Sequence, residues 1–219
     1  MHRKKNHGTT LHRYNLKESP TETFSIFPLP LKHETVEQVT MVEIDASVTD
    51  FAKEHLRVIC QKAFEDPRTS LVIADGVDFV AACEDRFDLI IIDSTDPIGP
   101  GEVLFTESFY ISCKACLADG GILVTQNGVP FLQSEELSAT MSAFRGLFVD
   151  ATCYLATVPT YVGGPMAFGW GCDNPALRQP PLETLKVRYA ASGIQARYYT
   201  PEVHLAAFAL PGYIAEMIS

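Results

Sequence analysis

The chain has 219 residues and a formal net charge of −10, which is enough length for one domain with a sizeable core. The negative charge argues against a general nucleic-acid binder, because neutralising phosphates needs clustered Lys and Arg. No apolar run approaches the roughly 20 residues that span a bilayer, and no secretory-type apolar stretch follows the basic start. We therefore expect a globular, cytoplasmic protein that binds neither nucleic acid nor membrane.

The first residues of the chain differ from the rest. They are polar and basic at first and lack helical or strand periodicity. Three prolines then follow: Pro20, Pro28 and Pro30. We predict that residues 1–30 are a divergent, poorly ordered segment in which 24–27 forms at most a short extended piece. Residues 31–219 are predicted to form one folded domain.

Strand and helix patterns alternate through the folded part. The predicted strands are 39–44, 71–73, 87–92, 122–125 and an antiparallel pair, 151–158 and 166–171. The predicted helices are 46–56, 77–83, 106–117, 134–148, 182–192, 201–210 and 213–218. Gly120 with its neighbours is predicted to stop the third helix, and Ser134 is a candidate N-cap of the fourth. Strand–helix alternation predicts an α/β fold with a parallel sheet covered on both faces.

The six cysteines are irregularly spaced, so we predict no disulfide framework. Cys113 and Cys116 form a C-x-x-C pair, which can bind zinc or undergo redox chemistry. No second such pair follows, and no His pair has zinc-finger spacing. The favoured interpretation is two small apolar side chains in the helix 106–117.

Polar residues follow each predicted parallel strand, where ligands bind in such sheets. Glu43 can accept hydrogen bonds from both ribose hydroxyls of a nucleoside, or it is a surface carboxylate. Asp75 can accept from an adenine amino group, and Gly76 lets the backbone approach the ring. The alternative for this pair is an ordinary Asp-Gly turn. Gln126 follows the strand 122–125.

The stretch 93–102 carries two carboxylates, Asp93 and Asp96, directly after a deeply apolar strand. Two prolines and two glycines follow, which predicts a loop able to cover a site. Paired acids at the ligand edge of a sheet can bind a cationic amine and remove its proton. The competing interpretation is a helix cap or a turn. A position after a fully buried strand favours the binding role.

From Lys32 to the C-terminus the chain resembles the spermidine synthases, a family of polyamine aminopropyltransferases. The resemblance lies in 39–45, 75–76, D-S-T-D-P-I-G-P at 93–100, G-G-I-L-V-T-Q at 120–126, V-P-T-Y at 158–161 and R-Y-Y-T-P-E-V-H at 197–204. Together these motifs are much more specific than a generic nucleotide-fold signal. They imply a Rossmann-like, methyltransferase-type sheet, mostly parallel with an antiparallel C-terminal strand pair. Residues 31–219 are then a spermidine synthase-like catalytic domain.

The resemblance also implies an activity. Such enzymes transfer an aminopropyl group from decarboxylated S-adenosylmethionine to putrescine, giving spermidine and methylthioadenosine, without a metal. Asp93 is the implied base that deprotonates the amine. The implied diamine-binding residues are Asp93, Ser94, Thr95, Asp96, Gln126 and Tyr161. The residues implied for the nucleoside are Glu43, Asp75, Gly76 and Pro100. A homo-oligomer is compatible with the family.

Two family features are not recognisable before Lys32: an N-terminal β-rich domain, and the first sheet strand with its G-G-G-D-G turn. Pro28 and Pro30 stand there instead and cannot donate ladder hydrogen bonds. We therefore expect the first strand of the sheet to be missing, or poorly replaced by residues 24–27, with strand edges left unpaired. Cofactor affinity and activity are expected to be reduced.

Three alternatives stay open. A small-molecule methyltransferase on the same fold shares the positions of Glu43 and Asp75 but needs a different acceptor site. A non-catalytic remnant can bind polyamine or a full-length subunit. The front end can also be a gene-model artefact of an active enzyme. Three histidines can be considered as alternative bases, although structural or surface roles are favoured for them: His33, His55 and His204.

Overall fold

The computed structural model of the protein describes residues 30–93 and 99–219, without the side chains of residues 58, 59, 61, 99 and 100. The strands are β1 (Val39–Glu43), β2 (Thr69–Ile73), β3 (Phe87–Ile92), β4 (Leu117–Gln126), β5 (Asp150–Ala156) and β6 (Met166–Cys172). The α-helices are α1 (Ala46–His55), α2 (Arg57–Glu65), α3 (Gly76–Ala82), α4 (Glu107–Ala115), α5 (Ser134–Leu147), α6 (Leu182–Ser192), α7 (Pro201–Ala207) and α8 (Gly212–Met217). Short 3-10 segments lie at Pro30–Lys32, Gly99–Phe105 and Pro175–Leu177.

The strands of the described chain form two sheets. In the first, β1 and β2 are parallel. The second has the order β3-β4-β6-β5, in which β3 and β4 are parallel and both pairings of β6 are antiparallel. The predicted α/β class and the antiparallel C-terminal strand pair are therefore confirmed.

Within the described residues, no ladder joins β1 to β3, so each strand presents an unpaired edge. Packed side chains connect the two sheets instead. One apolar cluster contains Val42 and Ile90, and a second contains Val39 and Leu89. Successive strand residues point to opposite faces, so the clusters cover the two faces of the molecule. The sheet is interrupted where we expected a strand to be missing, and residues 24–27 lie outside the described chain.

The boundary between α4 and β4 differs from the prediction. The helix ends at Ala115 and the strand begins at Leu117, so Gly120 lies inside the strand rather than stopping the helix. Gly120 adopts a φ of 74°, and the β3–β4 register shifts between Phe87 and Leu89. The positive φ at this irregularity favours a residue without Cβ. Glycine with a positive φ is also common at helix ends, so a glycine inside a strand can resemble a helix stop in the sequence.

Three features of the helices also differ from what the sequence predicted. The helix α2, which was not predicted, directly follows α1. The apolar side of α1 is largely exposed, since Val48 and Phe51 are 42% and 57% accessible. The N-cap of α5 is Gln133 instead of Ser134, and it makes no side-chain capping bond.

The packing of α5, and of the turn that follows it, against β6 can be tested by substitutions at two glycines with different surroundings. A Cβ on Gly171 would lie 2.5 Å from Cδ2 of Phe148, whereas a Cβ on Gly146 meets nothing within 4 Å. We expect Gly171→Ala to lower the free energy of unfolding by about 1 to 3 kcal/mol, because the buried ring must move. Gly146→Ala is expected to raise it by about 0.5 kcal/mol, because alanine favours the helix. Urea unfolding measures both, and equal effects of the two variants would contradict this packing.

Candidate active site

A cavity of about 620 Å³ opens where β3 and β4 end. Its walls come from those strands, from β5 and β6, and from the segments 157–161 and 194–199. The 3-10 turn at the start of the described chain also contributes to the wall. The central wall residues are Ile91, Asp93, Val124, Gln126, Tyr154 and Phe168. The site therefore lies at the carboxyl ends of parallel strands, as expected for this class of sheet.

Asp93 is the first residue after β3, and it lines the cavity. The side chain keeps a large accessible surface. Surrounding protein atoms nevertheless remove part of its hydration and raise the pKa of the carboxyl above the usual aspartate value. Asp93 is thus partly desolvated and still reached by water from the open cavity.

Two further predicted residues line the same cavity. Gln126 is the last residue of β4, where it pairs with Phe168 of β6. Tyr161 lies in the loop after β5, is 53% accessible, and donates its backbone N–H to the Val158 carbonyl oxygen at 3.0 Å. The structure thus brings Asp93, Gln126 and Tyr161 together around one space. The other predicted diamine-binding residues lie outside the described chain: Ser94, Thr95 and Asp96.

Three of the residues predicted for the nucleoside are not part of the cavity wall: Glu43, Asp75 and Gly76. Glu43 is buried, and its Oε1 accepts a hydrogen bond from the Asp45 backbone N–H at 2.9 Å. Asp75 caps α3 by accepting from the Val77 N–H at 2.9 Å, and Gly76 is the buried first residue of that helix. The pair therefore begins a helix rather than forming an ordinary Asp-Gly turn, and the capping bond uses one carboxylate oxygen. Pro100 lies in the 3-10 segment Gly99–Phe105.

Aromatic residues that the sequence analysis did not assign complete the cavity. Tyr154 and Phe168 stack in its wall with ring centroids 5.2 Å apart. The Tyr198 hydroxyl accepts from the Thr157 N–H at 2.8 Å and so attaches the segment 194–199 to the end of β5. Aromatic faces attract cations, so these rings suit an ammonium ligand. The only sequence signal for them was the R-Y-Y motif, which contains Tyr198.

The three histidines lie in different environments. His204 is buried, and its Nε2 lies 3.2 Å from the Arg178 carbonyl oxygen. His55 is exposed, with its ring 4.6 Å from that of Phe51. These positions agree with structural and surface roles. His33 lines the cavity near its edge at the 3-10 turn.

The described residues contain no metal cluster, and their C-x-x-C pair lies in the core. No group of three or more His, Cys, Asp or Glu side chains is arranged there to hold a metal ion. Cys113 and Cys116 are buried in an apolar cluster. No helix in the described part of the chain is long and apolar enough to cross a bilayer.

The fold and site together define a Rossmann-like α/β protein with a small-molecule cavity that is lined by a carboxylate and aromatic rings. Residues 30–179 match the family described as the spermine/spermidine synthase domain. This match covers more than half of the chain, and the protein belongs to that family.

Several known proteins resemble the chain. It is 62% identical over 187 residues to a polyamine aminopropyltransferase of Ruegeria sp. (strain TM1040), covering 85% of this chain and 66% of the relative. It is 58% identical to polyamine aminopropyltransferase 1 of Pseudomonas aeruginosa, covering 85% of this chain and 65% of the relative. The chain therefore spans slightly less than two thirds of either relative's length.

Two solved structures resemble the fold. One is a spermidine synthase in complex with the transition-state analogue AdoDATO, with a TM-score of 0.77 and 30% identity. The other is the spermidine synthase of Thermotoga maritima, with a TM-score of 0.75 and 28% identity. Each match covers 86% of this chain, and it covers 63% and 62% of the two solved chains, respectively.

Proposed function

We propose that the protein transfers an aminopropyl group from decarboxylated S-adenosylmethionine to putrescine, forming spermidine and methylthioadenosine. One observation carries the proposal. A chain 62% identical to a polyamine aminopropyltransferase places Asp93, Gln126 and Tyr161 around one aromatic-lined cavity. A neighbour of the same fold that holds a transition-state analogue supports it further.

The chemistry requires a base next to the amine. An alkylammonium ion has no lone pair, and its pKa lies about three units above neutral, as for lysine. Asp93 accepts the proton as the amine nitrogen bonds to the carbon beside the sulfonium. The carbon–sulfur bond breaks in the same step, and methylthioadenosine leaves with the electron pair of that bond. A raised pKa makes the Asp93 carboxylate a better proton acceptor. General-base catalysis improves as the pKa of this carboxyl approaches the pKa of the ammonium group.

The remaining roles concern binding. In the proposal, Gln126 and Tyr161 orient the diamine, and the Tyr154 and Phe168 rings contact its methylene chain. The family resemblance adds Ser94, Thr95 and Asp96 on the diamine side. It places Glu43 at the ribose, Asp75 and Gly76 at the adenine, and Pro100 over the nucleoside. We further propose that residues 31–219 act as the catalytic domain of a cytoplasmic homo-oligomer.

We expect purified protein to form methylthioadenosine only when putrescine and decarboxylated S-adenosylmethionine are both present. Turnover should be below the median enzyme value of about 10 per second, because the family's glycine-rich turn, which lets the backbone approach the nucleoside, is not recognisable in the sequence. Chromatographic detection of methylthioadenosine and spermidine measures this. Transfer of a methyl group from S-adenosylmethionine, with no aminopropyl transfer, would instead support the methyltransferase alternative.

A binding measurement tests the non-catalytic alternative, whose support in the sequence is the unrecognised glycine-rich turn. Calorimetry with methylthioadenosine and with putrescine gives the two affinities separately. We expect both ligands to bind. Putrescine binding without any nucleoside binding would support the remnant and contradict the proposed activity.

A further inference from the structure

The helices α3 and α4 each end at a cysteine, and the two ends meet. Cys83 is the C-cap of α3, and Cys116 is the C-cap of α4. The Cys116 thiol donates to the Val80 carbonyl oxygen at 3.3 Å, which is one helical turn before Cys83. Both cysteines pack in the apolar cluster that contains Val42. The Cys116 sulfur therefore lies directly at the end of the helix that carries Cys83.

The two thiols differ in access. Cys116 is 1% accessible, whereas Cys83 is partly exposed. Burial raises the pKa of Cys116 to about 11, and the neighbouring Cys83 thiol adds to this through charge repulsion and a hydrogen bond. An accessible thiol beside a buried one is the arrangement of a first-oxidised and a resolving cysteine.

A metal is the other ligand that clustered thiols bind. Cys113 lies in the same cluster as Cys83 and Cys116. Within the described residues, however, no three cysteine, histidine or acidic side chains are placed to share an ion. The arrangement therefore fits a dithiol rather than a metal centre.

We propose that Cys83 and Cys116 form an oxidisable dithiol that closes to a disulfide when a peroxide reaches Cys83. The Cys83 thiolate attacks one peroxide oxygen, the O–O bond breaks, and a sulfenic acid forms as one water is released. The Cys116 sulfur then attacks the Cys83 sulfur, the S–O bond breaks, and a second water leaves. Two thiols are oxidised by two electrons, and the peroxide is reduced.

The disulfide would join the two halves of the molecule. Cys83 ends the helix that follows β2 of the first sheet. Cys116 immediately precedes β4 of the second sheet, and its carbonyl oxygen accepts from the Phe87 N–H at 2.8 Å. Since no ladder links β1 to β3 in the described chain, this bond would tie the sheets covalently. The inference does not depend on the proposed function.

Oxidation of the intact protein with hydrogen peroxide tests the proposal. Non-reducing peptide mapping is expected to show Cys83 linked to Cys116. The Tm is expected to rise by about 5 to 10 °C and to return on addition of a thiol reductant, because the bond closes a loop of moderate length.

Single-cysteine variants provide the controls. Cys83→Ser removes a partly exposed thiol and should abolish both the link and the Tm rise. Cys60→Ser removes a buried thiol of α2 that lies near Ala52 and Leu56 rather than near α4. This variant should preserve both the link and the Tm rise. A link between Cys113 and Cys116, a link between two chains through Cys83, or no link after peroxide treatment would each overturn the proposal.

Discussion

Replacement of Asp93 by asparagine is expected to lower the kcat of aminopropyl transfer by at least about 100-fold, the usual lower range for loss of a general base. Asparagine keeps the size of the side chain at the end of β3 but cannot accept the proton of the attacking amine. The KM for the nucleoside should change little, because the nucleoside-assigned Glu43 and Asp75 lie outside the cavity wall that contains Asp93. Steady-state assays of methylthioadenosine release give both constants.

The matched control is Asp119→Asn. Asp119 is an exposed carboxylate in β4 and does not line the cavity. This variant removes the same formal charge from the chain, so its turnover should equal that of the unchanged protein. Undiminished turnover of Asp93→Asn, with Asp119→Asn also fully active, would remove Asp93 from the role of base.

The pH dependence supplies an independent readout. Desolvation raises the pKa of Asp93, so the acid limb of kcat/KM should lie above the ordinary aspartate pKa of about 3.9. The pH dependence of stability runs in the opposite direction to that of activity: activity rises as Asp93 loses its proton, whereas stability falls. A carboxyl whose folded pKa is raised favours folding when protonated, and that contribution is lost as pH rises through the folded pKa. Asp93→Asn should therefore be more stable than the unchanged protein at neutral pH, and the gain should vanish in acid.

The predictable parts of the fold are those that the local pattern of apolar and polar residues determines. β3 was predicted with its observed bounds, because four consecutive apolar residues, 89–92, are typical of a strand that packs on both faces. The rule that ligands bind at the carboxyl ends of parallel strands placed Asp93 and Gln126 at one edge, and both residues line the cavity. The start of β4 was missed because Gly120 serves a register shift against β3. That contact is between segments distant in sequence, and local pattern does not encode it.

The aromatic wall was not predictable for a similar reason. Tyr154 and Phe168 occupy the strands β5 and β6, and their stacking follows from antiparallel register. Sequence alternation indicates that such residues face one side, but not what opposes them. Glu43 likewise lies outside the cavity wall in a structure whose described residues form no β1–β3 ladder, and strand pairing of this kind is a property of the whole sheet.

Replacement of Asn127 by aspartate is expected to lower the free energy of unfolding by about 3 to 5 kcal/mol at neutral pH, the usual cost of an uncompensated buried charge. Asn127 is fully buried directly after β4. Its Oδ1 accepts from the Thr125 hydroxyl at 2.7 Å and the Gly169 N–H at 3.1 Å, and its Nδ2 donates to Thr140 Oγ1 at 2.8 Å. A carboxylate keeps the acceptor role, loses the donor to Thr140, and brings a charge into a site that water does not reach.

The pH dependence distinguishes this cause from simple misfit. Burial favours the neutral form of the new carboxyl, so its pKa is raised in the folded protein. Its protonated form can again donate to Thr140, so the deficit should shrink as pH falls towards about 4, the ordinary aspartate value. Asn174→Asp is the matched control, because Asn174 is an exposed cap that accepts from the Ala176 N–H at 3.2 Å and aspartate caps equally well.

Urea unfolding of both variants and the unchanged protein, at acid and at neutral pH, measures the differences. Asn174→Asp should stay within about 0.5 kcal/mol of the unchanged protein throughout. An Asn127→Asp deficit that is independent of pH would show that shape, rather than charge, dominates at this position. The result also bears on the cavity, because Asn127 adjoins Gln126, and its backbone N–H donates to the Ala167 carbonyl oxygen at 2.9 Å. The buried amide therefore fixes the strand end from which Gln126 reaches the cavity.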